Sequence, residues 1–77
     1  MKIFVMEYGW IICGKEVSRE NGMVNVDDAS VARRWSNGRG IGGLAKAAYK
    51  DEYTLDEIGA VSLCVSKVLF EIPCEWE

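Results

Sequence analysis

Residues 10–26, WIICGKEVSRENGMVNV, decide the fold that we expect for this chain. Two runs rich in apolar and β-branched residues lie on either side of Asn21-Gly22, the dipeptide that most strongly indicates a two-residue hairpin turn. Both residues tolerate the positive φ of a type I′ turn, so the chain is predicted to reverse there and return as a strand over 23–26. We therefore expect an antiparallel sheet to extend from this segment.

Further strands are predicted outside the hairpin from runs of β-branched and aromatic residues bounded by turn residues. They cover residues 2–8, 53–58, 60–65 and 67–72. Residues 65–67 are the expected bend before the last strand, which should end at Pro73 because proline cannot donate a ladder hydrogen bond.

The segment between the hairpin and the last strands is harder to assign. Residues 27–35 fit a helix capped by an Asp, but they also fit a strand with Ala29, Val31 and Trp35 on one face, and the strand is favoured. Residues 36–40 are predicted to be a loop. Residues 41–50 are predicted to form a short helix, and its apolar positions at spacings of three and four are Ile41, Leu44, Ala45 and Ala48.

This order of elements predicts a single compact domain over residues 1–77, of the α+β class. A small antiparallel sheet of about five strands, curled or barrel-like, would pack with one or two short helices. Apolar residues make up 49% of the chain and charged residues 27%, as in ordinary folded domains. A chain of 77 residues has room for one thin core.

The glycine-rich segment 38–43, GRGIGG, matches the G-x-G-x-x-G spelling of a dinucleotide-binding turn. Such a site requires a parallel sheet covered by helices, which this short chain with antiparallel signals does not provide. We therefore interpret the glycines as a tight connection between a strand and a helix. No cofactor is predicted.

Cysteine and histidine content narrows the chemistry further. The chain has three cysteines, Cys13, Cys64 and Cys74, and no histidine, so a four-ligand zinc site is not expected and no metal is predicted. All three thiols are predicted to be free and buried, because each lies in an apolar stretch. Without histidine the commonest general base is missing, and we do not expect an enzyme.

The longest uncharged run, residues 58–66, is too short to cross a membrane, and no signal peptide is recognised. We therefore expect a cytoplasmic protein that does not bind membranes.

Charge is distributed unevenly along the chain, which has a net charge of −3 and an isoelectric point near 4.9. Residues 29–50 contain five basic and no acidic side chains, whereas the remainder is strongly acidic. The acidic part predicts a surface for a basic protein partner. Its candidate residues are Asp51, Glu52, Asp56, Glu57, Glu71 and Trp76. The alternative is that these carboxylates only solvate exposed edges.

The basic segment predicts a second, less favoured surface, which would bind nucleic acid. Its candidate residues are Arg33, Arg34, Trp35 and Arg39. Alternatively, these arginines pair with Asp27, Asp28 and the carboxylates of neighbouring strands. Aromatic residues dominate contact energy at interfaces, and five are candidate anchors for either partner. They are Trp10, Trp35, Tyr49, Tyr53 and Trp76.

The run from Ala29 to Cys74 resembles a group of small uncharacterised proteins encoded by bacteriophages and prophages. The likeness is carried by ARRW at 32–35, by GRGIGGLA at 38–45, by the segment around TLD at 54–56, where the group has T-x-L-D, and by the closing apolar strand. The preceding residues 9–28 are similar to the strand-turn-strand that opens those proteins. The chain departs from the group at 35–38, where WSNG stands in place of WGTT.

The resemblance implies a phage origin, and it favours a strand over residues 29–35. Small acidic phage proteins without catalytic residues are often inhibitors of host defence, among them anti-CRISPR proteins. We therefore predict a phage-encoded inhibitor of the anti-CRISPR type, which would occlude a nucleic-acid-binding surface of a CRISPR effector protein. The alternative is a nucleic-acid-binding phage regulator that uses residues 33–50.

Overall fold

The computed structural model describes residues 1–35 and 37–76. The β-branched and aromatic runs form five strands, β1 (Lys2–Met6), β2 (Ile11–Glu20), β3 (Met23–Arg34), β4 (Thr54–Cys64) and β5 (Val68–Pro73). They pair antiparallel in the order β4-β3-β2-β1-β5. The predicted five-stranded antiparallel sheet is confirmed. It does not close into a barrel, because β4 and β5 form its two edges.

The turn between β2 and β3 has the predicted geometry. Asn21 and Gly22 have φ angles of 53° and 75°, both positive as a type I′ turn requires, and Glu20 pairs with Met23. The N–H of Val65 donates to the Gly22 carbonyl at 2.9 Å, which ties this turn to the end of β4.

Segment 27–35, which fitted two structures from the sequence, is a strand over its residues up to Arg34. It continues from residues 23–26 through a bulge, where the β2–β3 register shifts near Gly14 and Asp28 has a φ of 51°. A Cβ at position 14 would overlap the Val26 side chain and lie 3.2 Å from the Ala29 Cα. The glycine therefore lets β2 approach β3 closely at the bulge.

Strand β4 also continues where the sequence predicted an end. Gly59 was expected to separate two strands, but it lies within β4 and pairs with Ala29 at a register shift. Trp35 also lies on a different face of the sheet from the one predicted. A shift in the β3–β4 register between Ala32 and Arg34 brings its ring into the same core as Ala32.

Alternating side chains divide the core between the two faces of the sheet. One face, called the helical face here, packs against the segment between β3 and β4 and against the C-terminal tail. Its buried residues are Ile3, Val5, Ile11, Cys13, Ala32, Leu44, Ala45, Tyr53 and Trp76. The core of the opposite face consists of Phe4, Ile12, Val24, Val26, Ala29 and Leu63.

The predicted helix over residues 41–50 is shorter and broken. Helix α1 covers Gly40–Leu44, and a 3₁₀ helix covers Ala47–Glu52, with Lys46 extended between them. Three glycines in α1 disfavour a longer helix. Leu44 and Ala45 are buried as expected, whereas Ala48 is exposed, contrary to the prediction.

A tight three-residue turn covers Glu7–Gly9, and a 3₁₀ turn covers Val65–Lys67, at the predicted bend. Of the predicted loop 36–40, Ser36 lies outside the described residues, residues 37 and 38 form a bend, and Gly40 begins α1. No helix within the described residues is long and apolar enough to span a membrane.

The three cysteines are free but are not equally buried. Cys13 is buried and Cys74 is half-buried, whereas Cys64 at the end of β4 is exposed, so the predicted burial of all three was wrong for Cys64. Burial raises the pKa of the Cys13 thiol to about 12 and also raises that of Cys74.

Candidate functional site

The most exposed aromatic side chains lie at the turn between β1 and β2. Tyr8 is 96% exposed and Trp10 is 58% exposed. The N–H of Met6 donates to the Trp10 carbonyl at 2.8 Å, closing a three-residue loop over Glu7–Gly9. Two large rings therefore stand at a turn that a short hydrogen bond fixes.

The backbone at Tyr8 is strained. Its φ of 64° and ψ of 19° lie in the left-handed region, which costs an L-residue about 1–2 kcal/mol. Packing does not account for this conformation, because nearly all of the side chain is in solvent. Bulky residues in such backbone conformations are concentrated at functional sites.

Beside the two rings is an apolar groove of about 360 Å³. Met6 and Ile12 line it from the first two strands, and Leu63 lines it from β4. Its charged lining residues are Glu7 and Lys67, whose side chains form an ion pair at 3.5 Å.

Tyr8 and Trp10 also line a second depression of about 270 Å³ beside Arg33. We call these two residues the aromatic ridge, because they border both concavities. Val31 and Ala32 contribute to the second depression from β3. The ridge thus presents two rings between an apolar groove and a shallow depression that also has a charged side chain, Arg33, in its lining.

The residues predicted to bind nucleic acid are largely engaged within the protein. Arg33 Nε lies 2.7 Å from an Asp56 carboxylate oxygen, and Arg39 Nε lies 3.1 Å from Glu52. The Arg39 guanidinium also stacks over the Tyr49 ring at 3.7 Å.

Trp35 is half-buried, with its ring centroid 5.6 Å from that of Tyr53. Arg34 is exposed on β3. The carboxylate that pairs with Arg33 comes from β4, and the one that pairs with Arg39 comes from the 3₁₀ helix over Ala47–Glu52. The alternative of internal pairing predicted such partners, but neither Asp27 nor Asp28 is among them in the described ion pairs.

The residues predicted to form an acidic surface do not come together. Asp51 and Glu52 lie on the 3₁₀ helix over Ala47–Glu52. Asp56 and Glu57 are consecutive in β4, so their side chains point to opposite faces of the sheet. Glu71 lies in β5 at the other edge of the sheet.

Trp76, predicted to contact a partner, is only 6% exposed and packs in the core of the helical face. It is therefore not an accessible anchor in this conformation. Two backbone hydrogen bonds hold the tail that carries it, from the N–H of Cys74 to the Met1 carbonyl and from the N–H of Glu75 to the Ala45 carbonyl.

Glu71 belongs to a network of four charges that joins three strands. Lys2 Nζ lies 2.9 Å from Glu16 and 3.2 Å from Glu71, and Arg19 lies 2.9 Å from both carboxylates. Hydrogen bonds to the two carboxylates raise the pKa values of Lys2 and Arg19. Hydrogen bonds from Arg19 and Lys2 lower the pKa of Glu16.

Burial acts to raise the pKa of Glu71, but hydrogen bonds from Arg19 and Lys2 outweigh it and hold this pKa below its usual value. The network therefore connects β5 to β1 and β2, and we assign Glu71 a structural role.

Sequence reasoning named Trp10 as one of several candidate anchors but missed Tyr8, which it placed in the first strand. The available signal was Tyr8-Gly9 between two β-rich runs, since a turn there exposes an aromatic residue. No cluster of three or more metal-ligating side chains occurs in the described part of the chain. The chain matches no family model, no curated protein and no solved structure.

Proposed function

We propose that this chain is a protein-binding module whose principal contact is the aromatic ridge. The observation that carries the proposal is the exposed Tyr8 ring on a left-handed residue, beside Trp10 and an apolar groove. Tyrosine and tryptophan are the residue types most enriched among those that dominate binding energy. Strain at Tyr8 that gives the free protein no packing benefit is consistent with a role in a complex.

The size of the chain is compatible with such an interface. A stable complex buries about 800 Å² of each partner, roughly one sixth of the 4841 Å² surface of this protein. The ridge and the groove beside it supply an apolar centre, and the Arg33–Asp56 and Glu7–Lys67 ion pairs lie beside it. Charged groups at the rim of an interface favour specificity more than affinity.

The partner class in this proposal is a host defence protein. The phage resemblance supports an inhibitor of the anti-CRISPR type, which would act by occluding a nucleic-acid-binding surface of a CRISPR effector. The ridge would dock on that protein, and the net charge of −3 would favour its approach to a basic channel nearby. The nucleic-acid-binding alternative has less support, because Arg33 and Arg39 already pair with carboxylates.

The test is phage plaquing on bacteria that carry an active CRISPR system and express this chain. Expression of the natural sequence should restore plaquing, and the Trp10→Ala variant should abolish this effect. Val17→Ala is the matched control, because Val17 is 59% exposed on β2 but does not line the groove. Failure to restore plaquing against every CRISPR type tried would reject the defence assignment.

Direct binding tests the ridge separately from the defence assignment. If capture with the natural chain recovers a host protein and the Trp10→Ala variant recovers it equally, the ridge is not the contact. If capture of the host protein is lost with Asp56→Lys but retained with Trp10→Ala, the acidic residues would be favoured as the contact instead. A gel shift that disappears with Arg33→Ala and Arg39→Ala would favour the nucleic-acid alternative.

A further inference from the structure

A third concavity, of about 480 Å³, lies on the helical face at the bulge between β3 and β4. Its polar lining comes from distant parts of the chain: Lys15, Asp28, Ser30, Lys50, Glu57 and Trp76. Met1 and Leu55 contribute apolar surface. A volume of this size is within the range of small-molecule binding sites.

The four charged groups of this cavity differ from most others in the molecule. Among the described residues, six cations outside the cavity have a carboxylate within 4 Å: Lys2, Arg19, Arg33, Arg39, Lys46 and Lys67. None of the ion pairs among the described residues includes Lys15, Lys50, Asp28 or Glu57. The cavity therefore brings together two cations and two carboxylates without internal ion pairs.

Trp76 provides a second, independent observation. Its side chain lines the cavity and is more than nine-tenths buried, and its Nε1–H has no acceptor among the described residues. A buried donor without an acceptor is costly and rare in folded proteins. The Lys50 ammonium lies 4.7 Å from the centroid of the same indole ring.

The backbone around the cavity is also irregular. Asp28 is a non-glycine residue with a φ of 51°, and Gly59 in the facing strand has a φ of 74°. Both lie at shifts in the β3–β4 register. Bulges of this kind often redirect side chains beside binding sites, and here the bulge carries Asp28 to the cavity.

We propose that this cavity binds a small zwitterion of the α-amino-acid class. Its carboxylate would pair with Lys15 and Lys50, its ammonium group with Asp28 and Glu57, and an apolar side chain would lie against Leu55. The balance of two cations and two carboxylates favours a zwitterion over a ligand that carries only one sign of charge. Phosphate would meet both carboxylates of the cavity, and a metal cation would meet both lysines.

The experiment uses the indole N–H signals of the protein in two-dimensional ¹⁵N NMR. The chain has three tryptophans, and only Trp76 lines this cavity, whereas Trp10 serves as an internal reference. Titration with L-leucine and L-phenylalanine should shift the Trp76 signal and leave the Trp10 signal in place. N-acetyl-L-phenylalanine and L-phenylalanine amide each lack one charge and should bind about tenfold more weakly.

Substitutions in the cavity test which side chains contact the amino acid. Lys50→Gln and Glu57→Gln should each weaken binding of L-phenylalanine about tenfold. Arg34→Gln and Glu20→Gln are the matched controls, because both residues are exposed and neither lines the cavity, so these variants should bind as the natural chain does.

The proposal would be overturned by an unchanged Trp76 signal with both amino acids at about 10 mM, where even millimolar affinity would be detected. Binding of either analogue with the same affinity as L-phenylalanine would also overturn it. Because the cavity lies on the other face of the sheet from the groove beside the aromatic ridge, neither result bears on the proposed protein-binding role.

Discussion

Replacing Tyr8 with asparagine should make the protein more stable while removing its main contact residue. The ring is 96% exposed, so its loss removes almost no buried surface. The left-handed backbone costs a residue such as tyrosine about 1–2 kcal/mol, and asparagine tolerates this region better. We expect a net gain of about 0.5–1 kcal/mol in the free energy of unfolding, or about 2–8 °C in the melting temperature of a domain of this size.

Thermal unfolding followed by circular dichroism would measure the gain, and urea unfolding would confirm it. Tyr8→Ala is the matched control, because it removes the same ring but retains the backbone cost of a Cβ in the left-handed region. Partner binding should be lost in both variants, and only Tyr8→Asn should gain stability. A melting temperature of Tyr8→Asn at or below that of the natural chain would refute the reasoning about strain.

Three further predictions concern the interior, the thiols and the charge network. Gly14→Ala should lower the free energy of unfolding by about 1–3 kcal/mol, measured in urea, because its Cβ would overlap Val26. Iodoacetamide at pH 8 should alkylate Cys64 first, and Cys13 only after unfolding, since burial raises the pKa of the latter to about 12; mass spectrometry would give the order. Glu71→Gln should lower the melting temperature at pH 7, and this difference from the natural chain should disappear on acidification. The pKa of Glu71 in the folded protein is below its usual value of 4.5, so the ionised carboxylate stabilises the fold above pH 4.5. This contribution is lost as the pH falls through the folded-state pKa.

The sheet could be predicted from the sequence because its signals are local. The Asn21-Gly22 turn, the bend at 65–67 and the stop at Pro73 each depend on the backbone preferences of one to three residues. Bulges depend on the facing strand instead. Gly59 has the appearance of a strand end in the sequence, and only its pairing with Ala29 shows that β4 continues.

Little of the candidate site could be predicted in this way. The sequence shows a basic segment and an acidic remainder. The pairing of β3 with β4, however, places Arg33 beside Asp56, and the two side chains form an ion pair. The distribution of charge along a chain does not report pairing across strands. Exposure of Tyr8 likewise depends on the three-residue loop that separates β1 from β2, which the sequence marks only by Gly9.

The left-handed residues link the two proposed sites. Three non-glycine residues in the described structure have positive φ: Tyr8, Asn21 and Asp28. Asn21 is accounted for by its turn type, which requires that conformation. The other two each line a concavity, the apolar groove for Tyr8 and the charged cavity for Asp28. Both side chains are exposed, so packing does not require either conformation, but Asp28 forms the bulge of β3 and is of a residue type that visits this region more readily than tyrosine. Strain that packing does not offset is retained where it positions a side chain for a ligand or a partner, and that reasoning favours the aromatic ridge. At the charged cavity the support comes from the bulge, which carries Asp28 to its lining.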